Sequence, residues 1–185
     1  TQRRRQRQMC IRDSFYSDHG GPFPRHKRAI YETGTKVPFL VKFPGGKNEK
    51  VNKKQLLSFV DLAPTVLSIA GVKSPSEYQG YAFLGKNKSK IEREFLYTSS
   101  DRFDNVPDRI RAVRDSKFKY IRNYNPENSH ALNVLYRKQM LLMRHLTSLH
   151  LTGQLDEKSD NWFKSPRLME ELYDLENDPF ELTNL

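Results

Sequence analysis

The strongest constraint on the fold lies between residues 106 and 123, where Ile110, Ala112 and Val113, then Phe118, Tyr120 and Ile121, flank the polar Asp115-Ser116-Lys117. Alternating residues on both sides of a short polar turn predict an antiparallel β-hairpin. Phe95-Leu96-Tyr97-Thr98 before it and Leu172-Tyr173 after it read as further strands. Upstream, Phe15-Tyr16-Ser17 reads as the end of a strand. Val37–Phe43, closed by Pro44-Gly45-Gly46, reads as a mostly buried one. Ala29–Gly34 fits a short turn or helix closing on Gly34. The apolar run Leu56–Ile69 predicts a helix with Asp61 as N-cap, Pro64 in its first turn and Gly71 as its stop. Residues 73–93 are loop-like. Leu132, Leu135, Met140, Met143, Leu146 and Leu149 predict one long helix ending at Gly153, and Asp178-Pro179 a terminal helical turn. The sum is a mixed α/β chain with an antiparallel tail.

A chain of 185 residues allows one domain, or one with a small appendage, and 11% aromatic residues can furnish a core. No stretch approaches the roughly 20 consecutive apolar residues of a membrane-spanning helix. One cysteine permits neither an internal disulfide nor a cysteine-cluster metal site. The net charge of +10 invites a nucleic-acid reading, yet five arginines and one aspartate crowd into residues 1–13. That segment has neither the apolar region of a secretory signal nor any periodicity. It is read as a non-native or disordered basic segment, because Met9-Cys10-Ile11-Arg12-Asp13 looks like a translated sequencing adapter. The competing reading is a basic arm that contacts phosphates. With that arm set aside, no nucleic-acid partner is expected.

Chemistry concentrates at the strand ends. Asp18-His19, between a strand end and the glycine pair 20–21, places a carboxylate beside an imidazole where ligands collect in open α/β sheets. Asp oxygens suit a hard cation and imidazole suits zinc, so the pair alone chooses no metal, and taken by itself it reads first as a turn aspartate bonding the following backbone. Arg25, His26, Lys27 and Arg28 form a compact cationic group suited to sulfate or phosphate oxygens, or else a solvated charged turn. Asp101 and Arg102, with Asp104, follow a second strand end and read first as soluble surface. His130, His145 and His150 read as structural or exposed.

The string 15–20, Phe-Tyr-Ser-Asp-His-Gly, followed by Lys27-Arg28-Ala29-Ile30-Tyr31-Glu32-Thr33-Gly34-Thr35-Lys36-Val37-Pro38, resembles the Ser-Asp-(Asn or His)-Gly and Lys-x-x-Leu-Tyr-Glu-x-Gly-x-Arg-Val-Pro blocks of the sulfatases. Val60–Leu67 with Ala70-Gly71 is similar to that family's Val-Asp-Leu-x-Pro-Thr-x-Leu helix. Glu171–Leu175 with Asp178-Pro179, Glu181 and Asn184-Leu185 resembles its C-terminal signature. Residues 109–175 look most like bacterial relatives of heparan N-sulfatase. The resemblance implies the formylglycine-dependent, alkaline-phosphatase-like fold, here its C-terminal part. It divides the chain into the end of the catalytic α/β domain (14–93) and an antiparallel subdomain with a long helix (94–185).

It further implies Asp18 and His19 as ligands of a divalent metal, usually calcium (Ca2+), and Lys27 as the sulfate-binding lysine. Arg25, His26, Asp101 and Arg102 are expected as lesser substrate contacts, and Arg25, Arg28 and Arg102 as a basic rim. The implied reaction is hydrolysis of a sulfate ester or sulfamate, on a sulfated carbohydrate or other small sulfate ester, by a formylglycine hydrate. A formylglycine-generating enzyme or anaerobic maturase would make that group. The Cys/Ser-x-Pro-x-Arg motif that yields it is absent: Cys10 and Ser165-Pro166-Arg167 both fail it. The chain is therefore expected to be a fragment, inactive alone, of a periplasmic or secreted enzyme. A phosphodiesterase or phosphonate hydrolase of the same superfamily and a non-catalytic glycan-binding homologue are the alternatives.

Overall fold

The computed structural model describes residues 13–43 and 55–185. The basic segment 1–12 with Cys10, the boundary Pro44-Gly45-Gly46 and the polar stretch 47–54 lie outside the described residues. Two antiparallel sheets organise the rest. β1 (Asp13–Tyr16) pairs with β2 (Phe39–Lys42), Asp13 opposite Lys42 and Tyr16 opposite Phe39. Asp13, the expected last residue of the basic segment, thus belongs to a strand. The second sheet follows the order β3 (Leu96–Phe103), β4 (Val106–Arg114), β5 (Phe118–Asn123), β6 (Glu170–Asp174), every neighbour antiparallel.

The predicted hairpin is β4–β5. Asp115 makes its turn, accepting from the Lys117 and Phe118 amides at 2.7 and 2.6 Å. Those amide bonds hold its carboxyl below the usual range. Alternation then puts Ile110, Ala112, Ile121 and Tyr173 on one buried face, against Ile30, Tyr31 and Trp162. The same face carries Lys119, Asn123 and Glu171, all buried. Backbone register alone brings these polar groups inside, so each must find a partner there.

They do. A one-turn helix, α1 (Glu32–Thr35), lies on this face. The Glu32 carboxylate meets Arg114 and, at 3.3 Å, the Lys119 ammonium. Lys119 also pairs with Glu181 at 3.0 Å, whose other oxygen accepts from the Glu32 amide at 2.6 Å. Burial pushes the Glu181 carboxyl up, while Lys119 opposes that shift. Beside this cluster, Glu171 accepts from the hydroxyls of Tyr31 (2.8 Å) and Tyr173 and from the Asn123 amide (2.7 Å). His130 stacks on Trp162, 5.6 Å between centroids. Burial lowers its pKa to about 4.

Several elements differ from expectation. α1 runs through Gly34 to Thr35, because Thr35 and Lys36 still bond back to Tyr31 and Glu32. β2 is shorter than 37–43 and only half buried, with Leu40 64% exposed, since among the described residues β1 is its one strand partner. β3 runs on to Phe103, so Asp101 and Arg102 lie inside a strand. Pairing to β4 is a backbone property, and a bulge between Ser100 and Arg102 absorbs the polar residues. The long helix splits at Met140 into α3 (Leu135–Gln139) and α4 (Leu141–Leu151). The break falls where the apolar spacing is five residues (Leu135 to Met140), a step that turns off a helical face. Asp178-Pro179 begins a turn, not a helix: the Asp178 carboxylate binds the Leu182 and Thr183 amides, and Glu181 adopts φ 55°.

The middle helix is α2 (Leu62–Ile69), ended as expected at Gly71 with φ 80°. Asp61 stands at its start but caps none of its amides. Its buried carboxylate accepts instead from the Ser58 amide (2.8 Å), the Tyr81 amide (2.7 Å) and the Arg93 guanidinium (2.6 Å). Thr65 and Ser68, on the same helical face, accept from the Phe83 and Asn87 amides. A polar stripe thus fastens the irregular segment 73–93, which needs no strand or helix of its own.

Two measurements check this core. Lys119→Met leaves the Glu181 carboxylate buried without its cation and lowers unfolding free energy by about 3–5 kcal/mol in urea titration. His130 favours its neutral form when folded, so the unfolded chain binds more protons between its ordinary pKa near 6.5 and about 4. Stability must then fall as pH drops through that window. The excess loss of wild type over His130→Gln, followed by urea midpoints from pH 7 to 4.5, isolates this group from the opposite trend of Glu181.

Candidate functional site

β1 ends at Tyr16 and hands the chain to the turn Ser17-Asp18-His19-Gly20. The Ser17 hydroxyl donates to the His19 carbonyl at 2.5 Å and closes the turn. Asp18 projects outward with its side chain 83% exposed, and its Oδ2 lies 3.4 Å from His19 Nε2. His19 Nδ1 donates to the Gly20 carbonyl at 2.7 Å, which leaves Nε2 with its lone pair directed away from the backbone. Carboxylate and imidazole thus converge, as their adjacency in sequence suggested.

The turn is held from behind by backbone packing. The Gly20 amide donates to the Gly34 carbonyl at 3.0 Å, and a Cβ at Gly20 would sit 2.0 Å from the Thr33 carbonyl oxygen. A Cβ at Gly34 would sit 2.3 Å from two carbonyl oxygens, those of His26 and Ala29. Both glycines are required by the close approach of segments of the same chain. Lys27 belongs to the same assembly, because its amide donates to the Gly21 carbonyl at 3.0 Å. Arg25 and Arg28 on either side of it adopt φ 63° and 65°, uncommon for residues with a Cβ. Such strain persists only where the surroundings impose it.

The Lys27 ammonium lies 5.9 Å from the Tyr136 ring centre, and no ion pair of Lys27 is seen among the described residues. It lines a shallow pocket with Phe23, Phe103, Tyr136 and Met140. Its basic neighbours are differently occupied. Arg25 covers the Tyr31 ring at 3.8 Å and donates to the Glu181 carbonyl at 2.6 Å, so it ties the loop to the C-terminal turn. Arg28 pairs with Asp104 and lies over Phe103. His26 packs edge-on against Phe23. Asp101 pairs with Arg111 at 2.7 Å along the β3–β4 ladder, and Arg102 follows it at the bulge. The structure therefore joins Asp18, His19 and Lys27 through one loop system.

Among the described residues no group of three or more His, Cys, Asp or Glu side chains gathers as a metal site. Asp18 and His19 offer two donors, a part of the six to eight that calcium takes. Tyr136 and Arg137, from α3, reach the Lys27 side of the molecule without any sequence signal: an aromatic-basic pair in an amphipathic stretch reads as ordinary helix surface.

The geometry can be set beside known proteins. A family model described as "N-sulphoglucosamine sulphohydrolase, C-terminal" matches residues 21–144. An ulvan-active sulfatase of Formosa agariphila is 50% identical over 172 residues, 92% of this chain and 28% of that protein. Arylsulfatase K of Homo sapiens is 28% identical over 179 residues, 92% of this chain and 27% of that protein. A solved structure of a 2-O GAG sulfatase superposes with TM-score 0.61 at 23% identity, over 94% of this chain and 31% of the other; at that identity the likeness concerns the fold. The chain thus spans less than a third of the length of these relatives. The four sequence blocks, the loop system they build and the matched stretch 21–144 agree, and the chain belongs to the sulfatase family, in the C-terminal region that this family model describes.

Proposed function

We propose that the chain is part of an enzyme that hydrolyses sulfate esters or sulfamates of sulfated glycans. The observation that carries this reading is the loop system in which Gly20, Gly21 and Gly34 bind the Asp18-His19 turn to the Lys27 loop. The 50% identity to an ulvan-active sulfatase supports a polyanionic carbohydrate as substrate, with ulvan the first to try. A broad apolar surface on β1, β2 and α2, including Phe15, Leu40 and Val66, fits a chain packed within a larger sulfatase domain.

Asp18 and His19 fit a divalent cation, calcium in this reading, as far as two donors can. The Asp18 carboxylate is unpaired apart from His19, and the proton on His19 Nδ1 leaves Nε2 bare to ligate. A cation held there would polarise the sulfate oxygens. Lys27 would draw the same oxygens by charge, and the glycine contacts behind the turn would keep the two sites in fixed relation as negative charge shifts onto them. No Cys/Ser-x-Pro-x-Arg sequence occurs in the 185 residues. The formylglycine hydrate that attacks sulfur, and the maturase that prepares it, therefore belong to the reading of the longer polypeptide, as does its periplasmic or secreted location.

The test is sulfate release, measured by ion chromatography, from ulvan and from sulfated glucosamine. It uses the polypeptide encoded by the complete gene. Wild type should release sulfate and the 185 residues expressed alone none. Asp18→Asn and Lys27→Ala should each lower kcat/KM by about 100-fold or more. Gly20→Ala, which forces the turn off the Thr33 carbonyl, should do the same without removing a polar group. Turnover of phosphodiesters with no sulfate released from any sulfated sugar would replace this reading with the phosphodiesterase one.

A further inference from the structure

The shallow pocket beside Lys27 offers more than a cation. Its walls include Phe23, Tyr136, Met140 and Met143, and none of its lining residues is acidic. Two of them are cations, Lys27 and Arg137. Arg137 is taken up by the carbonyls of His130 and Ala131 and by the Phe103 ring. The Asp104 carboxylate stands outside the lining and is engaged by Arg28. That leaves the Lys27 ammonium, without an ion pair among the described residues, to meet a guest's negative charge beside an aromatic wall.

The two rings of that wall are open yet held in place. Phe23 is 55% exposed and Tyr136 42%. Phe23 stands between Pro22 and Pro24, whose backbone angles are fixed, and packs edge-on against His26 at 5.5 Å. The Gly21 carbonyl accepts from the Phe23 amide at 2.9 Å and from the Lys27 amide at 3.0 Å, so a single oxygen fixes ring and cation relative to each other. Tyr136 rides on α3 next to Arg137, whose buried guanidinium ties that helix to the 130–131 carbonyls. Its ring centre lies 5.9 Å from the Lys27 ammonium and 5.8 Å from the Arg28 guanidinium. Aromatic faces set in advance lose little freedom when a ligand covers them.

We propose that Phe23 and Tyr136 form the platform on which the sugar ring bearing the target sulfate lies, with Lys27 at its edge to hold the sulfate. A pyranose has an apolar C–H face and a polar rim. The face suits the aromatic rings, and a sulfate on the rim suits the ammonium. Because the pocket is shallow, the sugar lies over it and does not enter it. The inference rests on the sulfate-hydrolysis reading and goes beyond it, since it gives recognition of the sugar to the 22–24 turn and to α3. Phe23 and Tyr136 determine specificity and take no part in the reaction at sulfur.

The polypeptide encoded by the complete gene is used for the test, with ulvan oligosaccharides and inorganic sulfate as probes. Tyr136→Ala should raise KM for the oligosaccharides by about tenfold or more while kcat changes far less. Isothermal titration with EDTA present to stop turnover should show a matching loss of affinity. Phe23→Ala should act in the same direction, and Tyr136→Trp, which keeps an aromatic face, should restore most of the affinity. Inorganic sulfate should inhibit Tyr136→Ala and wild type at similar concentrations, because the ammonium and not the ring holds it. Unchanged oligosaccharide affinity in Tyr136→Ala, sulfate inhibition that weakens in step with sugar affinity, or rescue by Tyr136→Leu as full as by Tyr136→Trp would each overturn the platform. Should Tyr136→Ala fail to fold, Phe23→Ala and the comparison of Tyr136→Leu with Tyr136→Trp decide it. Sulfate release with no dependence on either ring refutes the platform alone; ring-dependent binding with no sulfate released refutes the hydrolase reading alone. A wild type that binds no oligosaccharide refutes the platform outright.

Discussion

Glu32 is where the two halves of the molecule meet. It leaves a four-residue helix that could not persist alone, and it enters the sheet face between Arg114 of β4 and Lys119 of β5. Glu181 completes the cluster from the C-terminal turn and binds the Glu32 amide as well. Buried ions add little net stability over well-packed apolar groups, but they tolerate no missing member. They therefore act here as a register device. The helix, the sheet and the last turn each supply a charge that only the other two can satisfy.

The loops at residues 17–36 inherit their position from that cluster. Tyr31 is anchored to Glu171 on β6, Arg25 covers Tyr31 and reaches the Glu181 carbonyl, and Gly34 receives the Gly20 amide. Every one of these contacts is at least partly buried or backbone-to-backbone, whereas Asp18 is left exposed and Lys27 has no ion pair among the described residues. Structural roles thus fall to Arg25, Tyr31, Glu32 and Gly34, and the groups free for chemistry are those that nothing in the fold consumes. The shared block of sequence holds both kinds side by side.

Much of this was legible in advance. The β4–β5 hairpin, the α2 stop at Gly71, the stop at Gly153 and the strand of β6 follow from local chemistry: alternation, a turn aspartate, glycines able to take positive φ. The elements that departed from expectation are those governed by partners distant in sequence. β3 continues through Ser99–Phe103 because β4 supplies hydrogen bonds to a polar segment, and β2 is half exposed because it has one strand neighbour among the described residues. Asp61 was legible as a cap and serves instead as an anchor for Tyr81 and Arg93, twenty and more residues away.

The sequence by itself determined the family and the antiparallel tail, and singled out Asp18, His19 and Lys27 as candidates, because these rest on residue type and short spacing. Tertiary structure alone decided that Lys119, Glu171 and Glu181 are buried and paired, that Gly20 and Gly34 touch, and that Arg137 lies against Phe103 and Trp162. Charge and backbone contact across such distances have no local signature. A lysine in a strand carries the same letters whether its ammonium meets water or two glutamates, and only the register of the folded sheet chooses between them.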